Sequence, residues 1–121
     1  MIELVSPSRC IDCNKCVEVC PTNVFDEVPG GHPVIARQQD CQTCFMCEAH
    51  CPTDALFVAP LADPAPEGSP YRNEDVLEAA GRLGEYREWI GWGKGRRPGS
   101  LRDRNGELTE LARPHLPQRF Q

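Results

Sequence analysis

The chain has 121 residues, with 13 basic and 18 acidic side chains and a net charge of −5. This length makes one domain, or a small domain with an extension. The acidic balance excludes non-specific attraction to nucleic-acid phosphates, and apolar runs of only a few residues exclude a membrane-spanning helix. The start, Met1-Ile2-Glu3-Leu4, has neither the basic segment nor the apolar stretch of a secretory leader, so the cytoplasm is the expected compartment. Twelve prolines and ten glycines limit long regular elements. Something besides apolar burial is therefore expected to hold the chain together.

In chain order, residues 2–5 read as a short strand. Residues 17–19 and 48–50 read as one or two helical turns, each stopped by a Cys-Pro pair. Val24-Phe25 and Val34-Ile35-Ala36 flank Pro29-Gly30-Gly31, which predicts a hairpin. Residues 55–59 read as a last strand paired with the first. Residues 1–59 thus form a small α+β unit. From 60 to 121 the composition predicts an extended tail that wraps a partner. Prolines at 60, 64, 66 and 70 mark a linker. A helix is predicted over 74–90, with Asp75 and Glu78 as a capping box and Val76, Ala80, Leu83 and Ile90 on one face. Gly81 and Gly84 are unfavourable within it. Residues 91–99 are glycine-rich and irregular, and the end carries scattered leucines (101, 108, 111, 116) and Phe120. Charge is segregated: −5 over residues 1–60, −4 over 61–90 and +4 over 91–121.

All eight cysteines lie in the first 51 residues, at 10, 13, 16, 20, 41, 44, 47 and 51. They spell Cys-x2-Cys-x2-Cys-x3-Cys-Pro twice, and each position recurs 31 places later, as do the following Pro21/Pro52 and Thr22/Thr53. This internal repeat predicts two half-domains related by an approximate two-fold. Three chemistries compete for the sulfurs. Disulfides need an oxidising compartment. A structural zinc ion takes two Cys-x2-Cys pairs across a spacer. A third thiolate three residues further on suits a larger object, a [4Fe–4S] cluster. In this doubled run the fourth cysteine ligates the other cluster. On that rule Cys10, Cys13, Cys16 and Cys51 hold the first cluster, and Cys41, Cys44, Cys47 and Cys20 hold the second.

These motifs make residues 1–59 resemble an eight-iron bacterial ferredoxin, which implies a ferredoxin-like, pseudo-twofold dicluster fold. Residues 59–66, Ala-Pro-Leu-Ala-Asp-Pro-Ala-Pro, are similar to the segment leaving the ferredoxin domain in the β subunit of adenylylsulfate (APS) reductase. In that family the β subunit passes electrons through two [4Fe–4S] clusters to an FAD-bearing subunit, and its tail wraps that partner. The resemblance implies a heterodimer with a flavoprotein, FAD in the partner, and a soluble electron donor or acceptor. Two departures stand out. The insertion that the family carries in its first run is missing between Cys13 and Cys16, and Gln42 replaces a tryptophan.

Among single residues, Phe45 and Met46 are expected to shield the second cluster. Tyr71, Tyr86, Trp89 and Trp92 read as interface anchors or as neighbours of an electron path. His50 is read as exposed, or as a hydrogen-bond donor to sulfur. His32 and His115 are read as surface residues. Arg96 and Arg97 are read as solvated or as a grip on an acidic partner surface. No residue reads as a nucleophile or general base, so the organic chemistry is assigned to another chain. The rival readings are a free, diffusible ferredoxin and a non-redox binding module.

Overall fold

The computed structural model describes residues 1–98. Along them run β1 (Ile2–Val5), α1 (Lys15–Val19), β2 (Phe25–Asp26), β3 (Val34–Ile35), α2 (Met46–His50), β4 (Leu56–Val58), α3 (Glu74–Ala79) and α4 (Glu85–Trp89). Single 3-10 turns sit at Gln38–Asp40 and Pro70–Arg72. The first strand pairs antiparallel with the last, Val5 opposite Leu56 and Leu4 opposite Phe57, as the sequence predicts. The predicted hairpin is also present, with Phe25 opposite Ile35.

Side chains on a strand alternate between faces. Leu56 and Val58 of β4 pack with Ile2, Val24, Phe25 and the cysteines Cys16, Cys47 and Cys51. Phe57 and Ala59 point the other way, onto Leu77 and Leu83, with Leu4, Leu61 and Tyr71 at the margin. Every residue of β4 is therefore buried. One face closes the cysteine half of the molecule, and the other needs a cover that residues 1–59 do not supply.

Residues 60–98 supply it, and here the structure departs from the predicted extended tail. The proline-rich segment is pinned: Ala65 is buried and its N–H donates to Glu3 Oε1 at 3.1 Å. Arg72 approaches the other oxygen of Glu3, and Glu74 accepts from the Ser6 hydroxyl. The single helix predicted over 74–90 is two short ones. Gly81 and Gly84, at φ +69° and +70°, break it, because the Gly84 N–H must turn to donate to Leu56 O at 3.0 Å. The N-cap is Asn73, whose side chain accepts from Val76 N–H, instead of the predicted capping box. Of the predicted apolar face Leu83 is buried, but Val76 is exposed and Leu77 takes its place in the core. His115, the leucines from 101 onward, Phe120 and most of the basic segment lie outside the described residues.

Candidate metal centre

The 31-residue repeat extends to the backbone. Among the described residues six non-glycine residues have left-handed φ, and they form three pairs 31 apart: Asp12 and Thr43 (58° and 55°), Asn14 and Phe45 (58° and 63°), Asn23 and Asp54 (58° and 54°). The first two pairs lie inside each Cys-x2-Cys-x2-Cys loop, between the cysteines that line one void. The third follows each Cys-Pro. The helices are offset by the same 31 residues, Lys15–Val19 and Met46–His50, and each carries the third cysteine of its run.

Two small voids of similar size open among these loops. The first is lined by Cys10, Cys13, Cys16 and Cys51, with Val5, Ile11, Pro33, Ala55 and Leu56 among its other walls. The second is lined by Cys41, Cys44, Cys47 and Cys20, with Ile2, Val24, Phe25, Phe45 and Val58. Each void thus draws three cysteines from one run and the fourth from the other.

The donor chemistry fits a thiolate-bound inorganic cluster. Backbone N–H groups aim at sulfur in both halves: Val24 to Cys20 at 3.4 Å, Ala55 to Cys51 at 3.3 Å, and Ile2 and Thr43 to Cys41 at 3.3 and 3.4 Å. Such donors favour the anionic sulfur and tune a bound metal. Burial pushes the Cys16 thiol up to about 11, and pushes Cys47 up further. Cys20 goes the other way. Burial raises it, but the N–H groups of Val24, Thr22 and Asn23 outweigh that and bring it below the usual thiol value. Among the described residues Lys15 is the one basic residue lining either void. Four soft sulfur donors around a small apolar space select iron–sulfur clusters or zinc over hard cations.

The other residues singled out in the sequence fall as follows. Phe45 lines the second void, whereas Met46 opens α2 without lining it. His50 contacts Met46 O through Nδ1 at 2.9 Å and meets Trp92 edge-on, with no bond to sulfur among the described contacts. His32 is paired with Asp12. Arg96 grips Asp54 of its own domain, where the sequence reading gave it solvent or a partner. Tyr71 packs on Phe57, Tyr86 stacks on Phe45, and Trp89 and Trp92 are exposed. Sequence reasoning missed Glu48, which is 1% exposed and accepts from Val58 and Tyr86 N–H groups. A carboxylate between Cys47 and Ala49, on a helix face otherwise buried, was the available signal.

Two thiol-lined apolar voids with N–H donors to sulfur mark a metal-thiolate protein, of the iron–sulfur or the zinc class. Comparison with known proteins bears on which one. Residues 9–56 match the family model of the 4Fe-4S dicluster domain. A ferredoxin of Methanothermococcus thermolithotrophicus is 45% identical over 47 residues, covering 39% of this chain and 77% of that protein. An uncharacterized ferredoxin of Methanocaldococcus jannaschii is 47% identical over 49 residues, 40% of this chain and 77% of that one. An archaeal-type glutamate synthase [NADPH] of Thermotoga maritima is 38% identical over 68 residues, 49% of this chain but 13% of that protein. No solved structure matches the chain significantly. The chain belongs to the 4Fe-4S ferredoxin family, binds [4Fe–4S] iron–sulfur and serves electron transfer. Among the described residues no helix is long and apolar enough to cross a membrane.

Proposed function

We propose that the chain holds two [4Fe–4S] clusters and serves as the electron-transfer subunit of a cytoplasmic flavoprotein oxidoreductase. Cys10, Cys13, Cys16 and Cys51 hold one cluster. Cys41, Cys44, Cys47 and Cys20 hold the other, the two sites being related by an approximate two-fold. The observation that carries this assignment is the composition of the two voids, each lined by three cysteines of one run and the last of the other. A bound cluster of this kind supplies reversible one-electron transfer. The chain's own part is to hold and solvate the sulfurs. Thiolates would grip the metal, N–H groups of Ile2, Val24, Thr43 and Ala55 offset their charge, and apolar side chains line both sites.

The partner reading rests on residues beyond the shared domain. The archaeal ferredoxins match about two fifths of this chain, which leaves a long extension without a counterpart in them. Trp89 and Trp92 in that extension are exposed, as interface anchors are before assembly. The Thermotoga match supports the idea that such a domain serves within a larger oxidoreductase. Residues 59–66 favour a relative of the adenylylsulfate reductase β subunit, with FAD in the other chain. A second reading, a free ferredoxin, is favoured by the relatives' names and by the folding of residues 60–98 onto their own domain.

Native purification without a tag tests both. The subunit reading expects about eight irons and eight acid-labile sulfides per chain together with a yellow flavoprotein in stoichiometric amount. A brown protein eluting alone at its monomer mass would establish the free carrier instead. One or two zinc ions per chain would reject the cluster assignment.

A further inference from the structure

Phe45 stands where its backbone disfavours it. Its φ of 63° puts a bulky aromatic in the left-handed region, where side chains crowd the backbone. The equivalent residue of the first repeat, Asn14, holds the same conformation with a side chain that tolerates it. A strained residue that persists is held by its surroundings, and such residues cluster at functional sites. What the ring touches shows what holds it. Phe45 lines the second void, and it also lines the open depression outside, beside Cys41, Gln42, Pro60 and Leu61. One ring is therefore part of the wall between solvent and the other three cysteines, Cys20, Cys44 and Cys47, while Cys41 lines both spaces.

The ring is held from behind by Tyr86, with centroids 4.8 Å apart and planes at 28°. Tyr86 is itself fixed, its N–H donating to Glu48 Oε2 at 2.9 Å. Next to it Arg87 donates to Ala49 O at 2.6 Å, and Trp92 meets His50. All these contacts fall on residues 45–50, the segment that presents Cys47. The first site is built differently. Ile11 beside it is 60% exposed, and Cys13 is exposed.

We propose that Tyr86 is a positioning residue acting through Phe45: it clamps the ring over the second void, keeps water from the sulfurs there, and lowers the reduction potential of that site alone. The sign follows from charge. The reduced state carries one more negative charge, water stabilises the more charged state, and its exclusion favours the oxidised form. This inference rests on the proposal that Cys20, Cys41, Cys44 and Cys47 hold a cluster.

The test uses the full-length holoprotein with Tyr86→Leu, Tyr86→Phe and Phe45→Asn, the last copying the first repeat and relieving the backbone. Iron and sulfide are measured first. Each site is then followed in a redox titration through the contact-shifted Hβ resonances of its own cysteines. Tyr86→Leu and Phe45→Asn are expected to raise the potential of the second site, and to speed its loss of iron to a chelator several-fold, with the first site unmoved. Tyr86→Phe keeps the stack and is expected to titrate as wild type. Should Tyr86→Leu lose the second cluster outright, Phe45→Asn decides. An unmoved second site, equal shifts at both sites, or Tyr86→Phe behaving like Tyr86→Leu would overturn the inference. A wild-type protein without two thiolate-bound clusters would instead overturn the reading beneath it.

Discussion

Tyr86 donates its backbone N–H to Oε2 of Glu48 at 2.9 Å, while Oε1 of the same carboxylate accepts from Val58 at 3.0 Å. One buried side chain thus joins the helix that carries Cys47, the last strand and the folded-back segment. Burial pushes this carboxyl up to about 7, against the opposing pull of the two N–H donors. The geometry uses both oxygens as acceptors, so removing them is costly. Glu48→Ala leaves the buried Val58 N–H unpaired, at about 1–3 kcal/mol, and the part-buried Tyr86 N–H unpaired at a smaller cost. Native-state hydrogen exchange at Tyr86 and Val58 is expected to speed up roughly tenfold or more. Glu48→Gln keeps one acceptor and should fall between. Exchange unchanged at both amides in Glu48→Ala would show that the carboxylate does not hold the segment.

Gly84 and Gly81 share a left-handed backbone but not an environment. A Cβ on Gly84 would lie 2.4 Å from Cβ of Asp54, whereas one on Gly81 would meet nothing within 4 Å. Alanine at either position is penalised by about 1–2 kcal/mol for the conformation. Only at Gly84 does a clash add to it, and there it pushes on the Asp54 that Arg96 grips. Gly81→Ala is therefore expected to lower the denaturation midpoint modestly. Gly84→Ala is expected to detach residues 84–98 from the domain, seen as faster limited proteolysis within that stretch. Equal proteolysis of the two variants would mean that Asp54 yields to the added methyl group.

What the sequence disclosed and what it hid divide along a physical line. The cysteine loops, the hairpin and the pairing of residues 2–5 with 55–59 depend on local turns and on a pattern written twice, so they are legible. The break in the predicted helix depends on Gly84 donating to Leu56, and the role of Glu48 on Tyr86 lying 38 residues away. Neither is encoded in neighbouring residues. One signal was present and went unread. Leu56-Phe57-Val58 is apolar without alternation, the mark of a strand covered on both faces. It implied that something beyond residue 60 must pack on Phe57, and so argued against a tail that serves a partner only. The assignment of Cys20 and Cys51 to the opposite clusters came from a rule about clusters; Cys20 lines the void of the second run and Cys51 that of the first.

That exchange has a direct test. Cys20 lies in the first run, yet it lines the second void with Cys41, Cys44 and Cys47. Cys20→Ala is expected to alter the contact-shifted resonances of those three and to spare Cys10, Cys13 and Cys16. Cys51→Ala is expected to do the reverse. If each variant disturbed its own run, the ligands would be local, and the two halves would not be tied together through metal.

Leu77 and Leu83 are buried against Phe57 and Ala59, on the face of β4 away from the cysteines. Full burial of a leucine is worth about 1.5–3 kcal/mol, and Phe57, 1% exposed in the intact chain, loses its cover when they go. A chain ending at residue 60 therefore loses several kcal/mol of apolar burial by the same measure, along with the Glu48 link to Tyr86. It is expected to bind an apolar dye and to release iron faster than the full chain. A chain ending at residue 98 keeps all of these contacts and should match the full-length protein in both respects. The comparison separates two duties of the extension. If the 98-residue chain is intact but no longer retains a flavoprotein, partner binding belongs to residues 99–121. If the 60-residue chain proves as stable as the full one, the packing of Leu77 and Leu83 contributes little, and the extension is free to leave the domain when a partner binds.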